Sequence, residues 1–339
     1  MNVLLTGGCG GIGSALLPKL INLGYNVIVV DNLRNGYFEN ISNINKKSFK
    51  FFNLNILNSS KITKLVSKYK IDTIIHLAAI TSLYDCELNK DECIEINVLG
   101  TQKLLEIART NNIQNFIFAS TSAVYENSDI TNIPYTENTI INPHLFYSIS
   151  KKMCEDLILS YNANYKTNYK ILRFFNVISS NQDIFRKNPP ILNYLVKSII
   201  TNSTPILHSD GNQKRDYILV DDVISFINIL INSNTNETIF NLCSGHLLSI
   251  NDLINLINEE FNIKLAPKFR DSKFLWGIDN PLFKTPNPIS EQVIIKETNK
   301  LSCGNNSLAK SLNWNPEIDI KTSIKKIARD AFNNYKNKL

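Results

Sequence analysis

Apolar residues gather in short runs separated by amphipathic stretches through the first half of the chain. The runs Val3-Leu4-Leu5 and Val27-Ile28-Val29-Val30 are continuous rather than alternating, as in strands buried on both faces. Strands are predicted at 2–5, 26–30, 49–54, 73–77, 115–119 and 170–174. Helices are predicted near 12–23, 60–69, 89–110 and 145–165, the first closed by Gly24 as its C-cap and bent by Pro18. Regular alternation from residue 1 to about 175 predicts an α/β fold built on a doubly wound parallel (Rossmann) sheet with right-handed crossovers.

Beyond 176 the alternation loosens, and long loops at 177–190, 203–216 and 264–305 hold most of the prolines. Such loops are commonly functional, and here they predict a smaller domain closing over the carboxyl ends of the strands. A strand at 238–242 and a helix beginning at Asp221 are expected to return to the main sheet. The division is therefore 1–176 with about 217–242 for a dinucleotide-binding domain, and about 177–216 with 243–339 for an interleaved substrate domain.

Composition changes this picture little. The chain of 339 residues, 43% hydrophobic and 19% charged, reads as an ordinary soluble globular protein. Its formal charge of +6 is scattered rather than gathered into a basic run, which suits an anionic small molecule better than nucleic acid. The six cysteines form no C-x-x-C pair and have no histidines at ligand spacing, so no metal is expected and free thiols in a cytoplasmic setting are. No leader is expected ahead of the first strand, and no apolar run approaches the ~20 residues of a membrane span.

The first stretch with chemistry is Thr6-Gly7-Gly8-Cys9-Gly10-Gly11-Ile12-Gly13, between the first strand and the first helix. Gly7, Gly10 and Gly13 give a G-x-x-G-x-x-G spacing that lets the backbone turn tightly, approach a pyrophosphate and pack helix on strand. Gly11 and Ile12 open the helix, whose N-terminal N–H groups suit phosphates. Asp31, at the end of the second strand and followed by Asn32, is placed to accept hydrogen bonds from an adenosine ribose. It would repel a 2′-phosphate, so the cofactor reads as NAD rather than NADP, although Arg34 is near enough in sequence to neutralise such a phosphate.

The second stretch is Tyr147-Ser148-Ile149-Ser150-Lys151, a Tyr-x-x-x-Lys pair on one face of a predicted helix. An ammonium beside a phenol favours the phenolate, drawing a group of pKa about 10 towards neutrality, where it serves as a general base. The hydroxyl cluster Ser120-Thr121-Ser122-Ala123-Val124-Tyr125 follows the fifth strand.

With His76-Leu77-Ala78-Ala79, Asn97-Val98-Leu99-Gly100-Thr101, Arg173-Phe174-Phe175-Asn176-Val177, Arg215-Asp216-Tyr217 and Leu312-Asn313-Trp314, these motifs occur in the order of one family. The chain resembles the extended short-chain dehydrogenases/reductases of the NAD-dependent sugar epimerase/dehydratase group, over essentially its whole length and most of all their 4-epimerases. The resemblance implies Tyr147 as catalytic base, Lys151 as holder of the nicotinamide ribose, and Thr121 as partner of the reacting sugar hydroxyl. It also implies that Ala78, Ala79, Asn97 and Phe174 line the cofactor, that Asn55 and Ile56 stand at its adenine, and that Asn176 and Arg215 contact the substrate diphosphate or sugar. His76 is expected to be structural.

Two departures lie in the substrate half. Ile178-Ser179-Ser180 replaces the usual Tyr-Gly-Pro, and the arginine of the second diphosphate anchor is missing, with Lys296 the best substitute. Leu301 falls where 4-epimerases gate the space beside the sugar C2 substituent, and neither it nor the smaller Ser302 and Cys303 would exclude an N-acetyl group. The implied function is a nucleotide-sugar 4-epimerase acting on UDP-hexoses by transient oxidation with bound NAD. A 4,6-dehydratase would need an Asp-Glu pair where Ser122-Ala123 stands, and a decarboxylase resembles the hydroxyl cluster less. A 4-keto-sugar reductase needs the same three catalytic residues, and a non-catalytic dinucleotide-sensing scaffold needs none of them. A homodimer is expected through the helices near 89–110 and 145–165, with Leu104, Leu105, Ile107, Met153, Leu157 and Leu159 as apolar surface.

Overall fold

The computed structural model describes residues 1–45, 47–275, 281–316 and 319–338. Twelve strands are present among them: β1 Asn2–Thr6, β2 Asn26–Asp31, β3 Phe49–Asn53, β4 Thr73–His76, β5 Asn115–Thr121, β6 Asn168–Phe174, β7 Asn176–Ile178, β8 Ile206–Leu207, β9 Lys214–Leu219, β10 Ile239–Leu242, β11 Leu247–Ser249 and β12 Lys268–Phe269. Seven form one parallel sheet in the order β10-β6-β5-β4-β1-β2-β3. The doubly wound reading holds, and the return of the 238–242 strand to the sheet holds with it. The strand order reverses between β1 and β4, the crevice where open α/β sheets bind ligands.

Continuous apolar runs are explained by burial on both sides. Leu5, Val27, Val29 and Ile75 pack with the helices Gly11–Asn22 and Val220–Ile231, while Leu4, Ile28, Val30 and Ile74 pack on the opposite face with Ser59–Tyr69 and Gly100–Thr110. Alternate residues of one strand thus belong to two different cores. A third core gathers the helices Ile191–Ile200, Ile250–Phe261 and Ile320–Tyr335 around β7, β9 and β11, which form a second, three-stranded sheet. Trp314, 1% exposed, donates to the Asp222 carbonyl at 3.1 Å and pins the C-terminal segment to the main sheet's helical layer.

Several local expectations need correction. The predicted helix near 89–110 is interrupted: Lys90–Cys93 is α-helical, Ile94–Leu99 is a π-helical turn, and Gly100–Thr110 resumes the α-helix. The widened turn is where Asn97 meets its partners, as insertions of this kind often do at functional sites. The 264–305 segment is not one loop, since it contains β12 and a helix at Glu291–Thr298; residues 276–280 lie outside the described ones. Leu104, Leu105 and Ile107 are consumed in the protomer core at 0%, 0% and 4% exposure, so they offer nothing to a partner. Gly24, at φ +79°, donates to the Ile21 carbonyl and closes the first helix, which runs unbroken through Pro18.

Candidate active site

A cavity of about 480 Å³ opens at the crevice between β1 and β4. Its floor is the glycine loop. Gly7 adopts φ +73°, and a side chain there would strike the Ala78 backbone at 2.7 Å; at Gly13 it would meet the Gly7 carbonyl oxygen at 2.3 Å. The helix Gly11–Asn22 has no side-chain cap at Gly10, so its first N–H groups remain available beside the cavity. Asp31, 8% exposed, is fixed by the Cys9 N–H at 2.9 Å and the Leu33 N–H at 2.8 Å, and it still lines the cavity. Asn32, Asn55, Ile56, Ala78, Ala79 and Phe174 line it as well. An unblocked helix start, a backbone cradle closed to side chains and a fixed carboxylate at the far end together fit a dinucleotide.

Asn97 is the exception among the expected cofactor residues. Its side chain is spent elsewhere: Oδ1 accepts from the Ile80 N–H at 2.8 Å, and Nδ2 donates to the Ile80 carbonyl and to Ser150 Oγ, each at 3.0 Å. It is 2% exposed and absent from the cavity wall. Its contribution is positional, tying the segment after β4 to the helix that carries Tyr147.

That helix, Phe146–Asn164, begins without a cap of its own. Two distant carboxylates serve instead: Glu126 accepts from the Leu145 N–H at 2.7 Å and Ser148 Oγ at 2.8 Å, and Glu87 accepts from the Phe146 N–H at 2.7 Å. Negative charge at a helix N-terminus is stabilising, and here it also fixes Tyr147 relative to the end of β5. Thr121 ends β5, with its Oγ1 accepting from the Ala123 N–H at 3.1 Å. Tyr147, Lys151 and Thr121 all line the cavity.

Lys151 is 3% exposed; its Nζ donates to the Ala119 carbonyl at 2.8 Å and lies 4.6 Å from the Phe118 ring centroid. Burial lowers its pKa, and burial raises that of Tyr147, with the Thr121 hydroxyl and the Arg186 guanidinium opposing the rise. The expected depression of the phenol by Lys151 is therefore not what the protein produces alone. Desolvation dominates: Tyr147 packs against Ile80, Cys86 and Cys93, and Lys151 is buried over the Phe118 ring.

At the other end, Asn176 and Arg215 line the cavity; Asn176 Nδ2 donates to the Asp216 carbonyl at 2.8 Å and Arg215 to the Glu297 carbonyl at 2.7 Å. Lys296 does not reach it: exposed, it donates to Asn127 Oδ1 at 3.2 Å. Leu301 is also off the wall, whereas Ser302, joined to Arg215 by a parallel bridge, is on it. Ser302 is 1% exposed, and its Oγ has no hydrogen-bond partner among the described residues.

The sequence model of the NAD dependent epimerase/dehydratase family matches residues 3–243. The chain belongs to this family. A relative from Methanocaldococcus jannaschii, provisionally named UDP-glucose 4-epimerase, is 33% identical over 333 residues, 98% of this chain and 99% of its own length. A Dictyostelium discoideum dTDP-D-glucose 4,6-dehydratase is 32% identical over 75% of this chain and 61% of its own. Among solved structures, the UDP-glucose 4-epimerase of Thermotoga maritima with UDP-glucose superposes with a TM-score of 0.86 at 26% identity, covering 98% of this chain and 99% of that one.

In this family member two cavity cations escaped the sequence reading. Lys300 lines the wall where Lys296 was expected to, with its Nζ 3.6 Å from Glu297 Oε2. Arg186 comes from the loop after β7 and donates through Nε to the Asn188 carbonyl at 2.7 Å. No periodicity marks either residue. Lys300 stands four residues after Lys296 and two past the end of the helix Glu291–Thr298.

Proposed function

We propose that this epimerase/dehydratase interconverts UDP-hexoses at C4, using NAD held in the glycine-loop cradle. The observation that carries the reading is the convergence of Tyr147, Thr121 and Lys151 with that cradle on one cavity, whose other end is cationic through Arg215 and Lys300. Bound there, NAD would supply a reversible two-electron acceptor. Tyr147 takes the proton of the sugar 4-hydroxyl, assisted by Thr121, and gives it back when the 4-ketone has presented its opposite face. Lys151, anchored on Ala119, orients the cofactor ribose and adds positive charge near the phenolate.

Ser122 and Ala123 follow Thr121, and neither side chain moves protons at neutral pH, which favours epimerisation over the elimination of water named for the Dictyostelium relative. The domain division at 176 is supported by the separate third core, which keeps Tyr217 and Leu219 of β9, so that the return to the cofactor half begins with the helix Val220–Ile231 rather than at 217. A homodimer through the two helices is supported by Met153 and Leu159, two of the residues first read, exposed at 41% and 38%, and by Leu99, exposed at 43%. Light scattering at micromolar concentration tests it, and a monomer refutes it.

The activity test is incubation of the pure protein with UDP-glucose, UDP-N-acetylglucosamine, UDP-glucuronate and GDP- and dTDP-sugars, with products identified by NMR. A C4 epimer formed with no net change in added dinucleotide is expected. Stoichiometric consumption of NADH would replace the epimerase with a reductase, and retained NAD without turnover of any sugar would favour a scaffold.

A further inference from the structure

Arg34 and Glu92 form an ion pair at the end of the cavity where Asp31 stands, and all three residues line it. Arg34 lies on the loop after β2, its N–H donating to Asn32 Oδ1 at 3.2 Å. Glu92 arrives from the segment Lys90–Cys93, across the cavity from that loop. Its carboxylate does not trail in solvent: Oε2 accepts from Asn89 Nδ2 at 3.2 Å, and its N–H donates to Asn89 Oδ1 at 3.2 Å. The side chains of Arg34 and Glu92 are 35% and 31% exposed, so a ligand entering this end would meet both.

We propose that Glu92 is a cofactor-specificity residue, which by holding Arg34 denies a 2′-phosphate its cation and so makes this end of the cavity select NAD over NADP. The inference rests on the reading of the cavity as a dinucleotide site. An arginine near an adenosine ribose can offer a phosphate two parallel donors, the usual means of accepting NADP. Here those donors face a carboxylate already. A 2′-phosphate could recruit Arg34 only by leaving Glu92 unpaired beside it, with Asp31 as a second negative neighbour. A ribose 2′-hydroxyl imposes neither cost, since it donates to Asp31 and leaves the pair intact. Asp31 alone therefore does not carry the selection, and removing the Glu92 charge should turn Arg34 from a paired residue into a phosphate ligand.

The test reads binding rather than turnover. Purified protein is equilibrated with equimolar NAD and NADP, freed of unbound nucleotide by gel filtration, and the retained nucleotides are released and quantified by chromatography. The wild type should retain NAD; Glu92→Gln should raise the retained NADP:NAD ratio about tenfold, the size of one charge-assisted contact. Glu92→Gln combined with Arg34→Gln should lose that gain, while Arg34→Gln alone should keep the wild-type preference. An unchanged ratio in Glu92→Gln, or an equal rise in the double variant, overturns the role of Glu92. Wild-type protein that retains neither nucleotide overturns the cofactor reading beneath it, and the proposal falls with it.

Discussion

Arg173 and Glu155 meet at 2.7 Å between β6 and the helix that carries Tyr147, where their side chains are only 4% and 2% exposed. The same carboxylate accepts from Ser120 Oγ at 2.5 Å, and the guanidinium donates to the Tyr125 hydroxyl at 2.7 Å and the Glu137 carbonyl at 3.1 Å. Because every donor of the network finds an acceptor, the pair tolerates its burial, and the residue before Thr121 is locked to the residue one turn after Lys151.

Breaking this pair should be costly. Glu155→Ala or Arg173→Ala each leaves a buried charge unmatched, and each should lower the unfolding free energy by about 3–5 kcal/mol. Urea denaturation followed by circular dichroism measures it. Replacing both by apolar residues of similar volume should cost less than the two single losses added together. Single variants as stable as the wild type would mean that the network is not structural.

The catalytic assignment makes a graded prediction. Tyr147→Phe should lower kcat by about 10³-fold with an unchanged far-UV spectrum, as expected for loss of a general base. Thr121→Ala should lose less, since it assists a proton transfer that Tyr147 still performs. Lys151→Ala should lower both the rate and the NAD retained through purification. Turnover by Tyr147→Phe near the wild-type rate would remove the central claim.

The buried His76 gives the pH dependence of stability a definite sign. Its ring bridges Thr6 Oγ1 at 2.8 Å and Thr101 Oγ1 at 3.0 Å, and burial, helped by the Lys151 charge, pushes its pKa down to about 3. Unfolded, the same ring titrates near 6.5. Its contribution is therefore complete above pH 6.5 and is lost as the pH falls towards 3, because the unfolded chain takes up the proton first. Between pH 6.5 and 5 the loss should be roughly 2 kcal/mol. Denaturant titrations at the two pH values should show a drop of that size in the wild type and a smaller one in His76→Gln; equal drops would assign the acid sensitivity elsewhere.

The fold was legible because the central strands of the large sheet hold apolar runs that need no partner in sequence to be recognised. Gly7 and Gly13 were legible for the same kind of reason, since the close backbone approach at each leaves no room for a side chain. What failed to read depends on contacts between distant segments. Asn97 looked like a cofactor ligand in its motif, but the π-helical turn aims its amide at Ile80 and Ser150. The capping of the helix that carries Tyr147 joins the Glu126 and Glu87 carboxylates to N–H donors 19 and 59 positions away, a relation no local window contains. In the substrate half, the helix at Glu291–Thr298 rotates Lys296 outward and delivers Lys300 and Ser302 to the wall.

That shift of register decides how the sugar should be discriminated. The gate beside the C2 substituent was read at Leu301, but it is Ser302 that faces the cavity, with its position fixed by the Asp216 N–H donating to its carbonyl at 2.9 Å and its own N–H donating to the Lys214 carbonyl at 3.2 Å. A serine is smaller than leucine, so the expectation of room for an N-acetyl group is kept, although the Ser302 hydroxyl itself is buried. UDP-N-acetylglucosamine and UDP-glucose should accordingly be epimerised with kcat/KM values within about tenfold of each other. Ser302→Tyr should fill the space, lowering kcat/KM for the N-acetylated sugar by about 100-fold while changing that for UDP-glucose by less than about tenfold. Steady-state kinetics with both substrates on both proteins measure the ratio directly. A tyrosine variant that lost the two activities equally would show a damaged site rather than a gate, and one that kept both would place the C2 substituent away from Ser302.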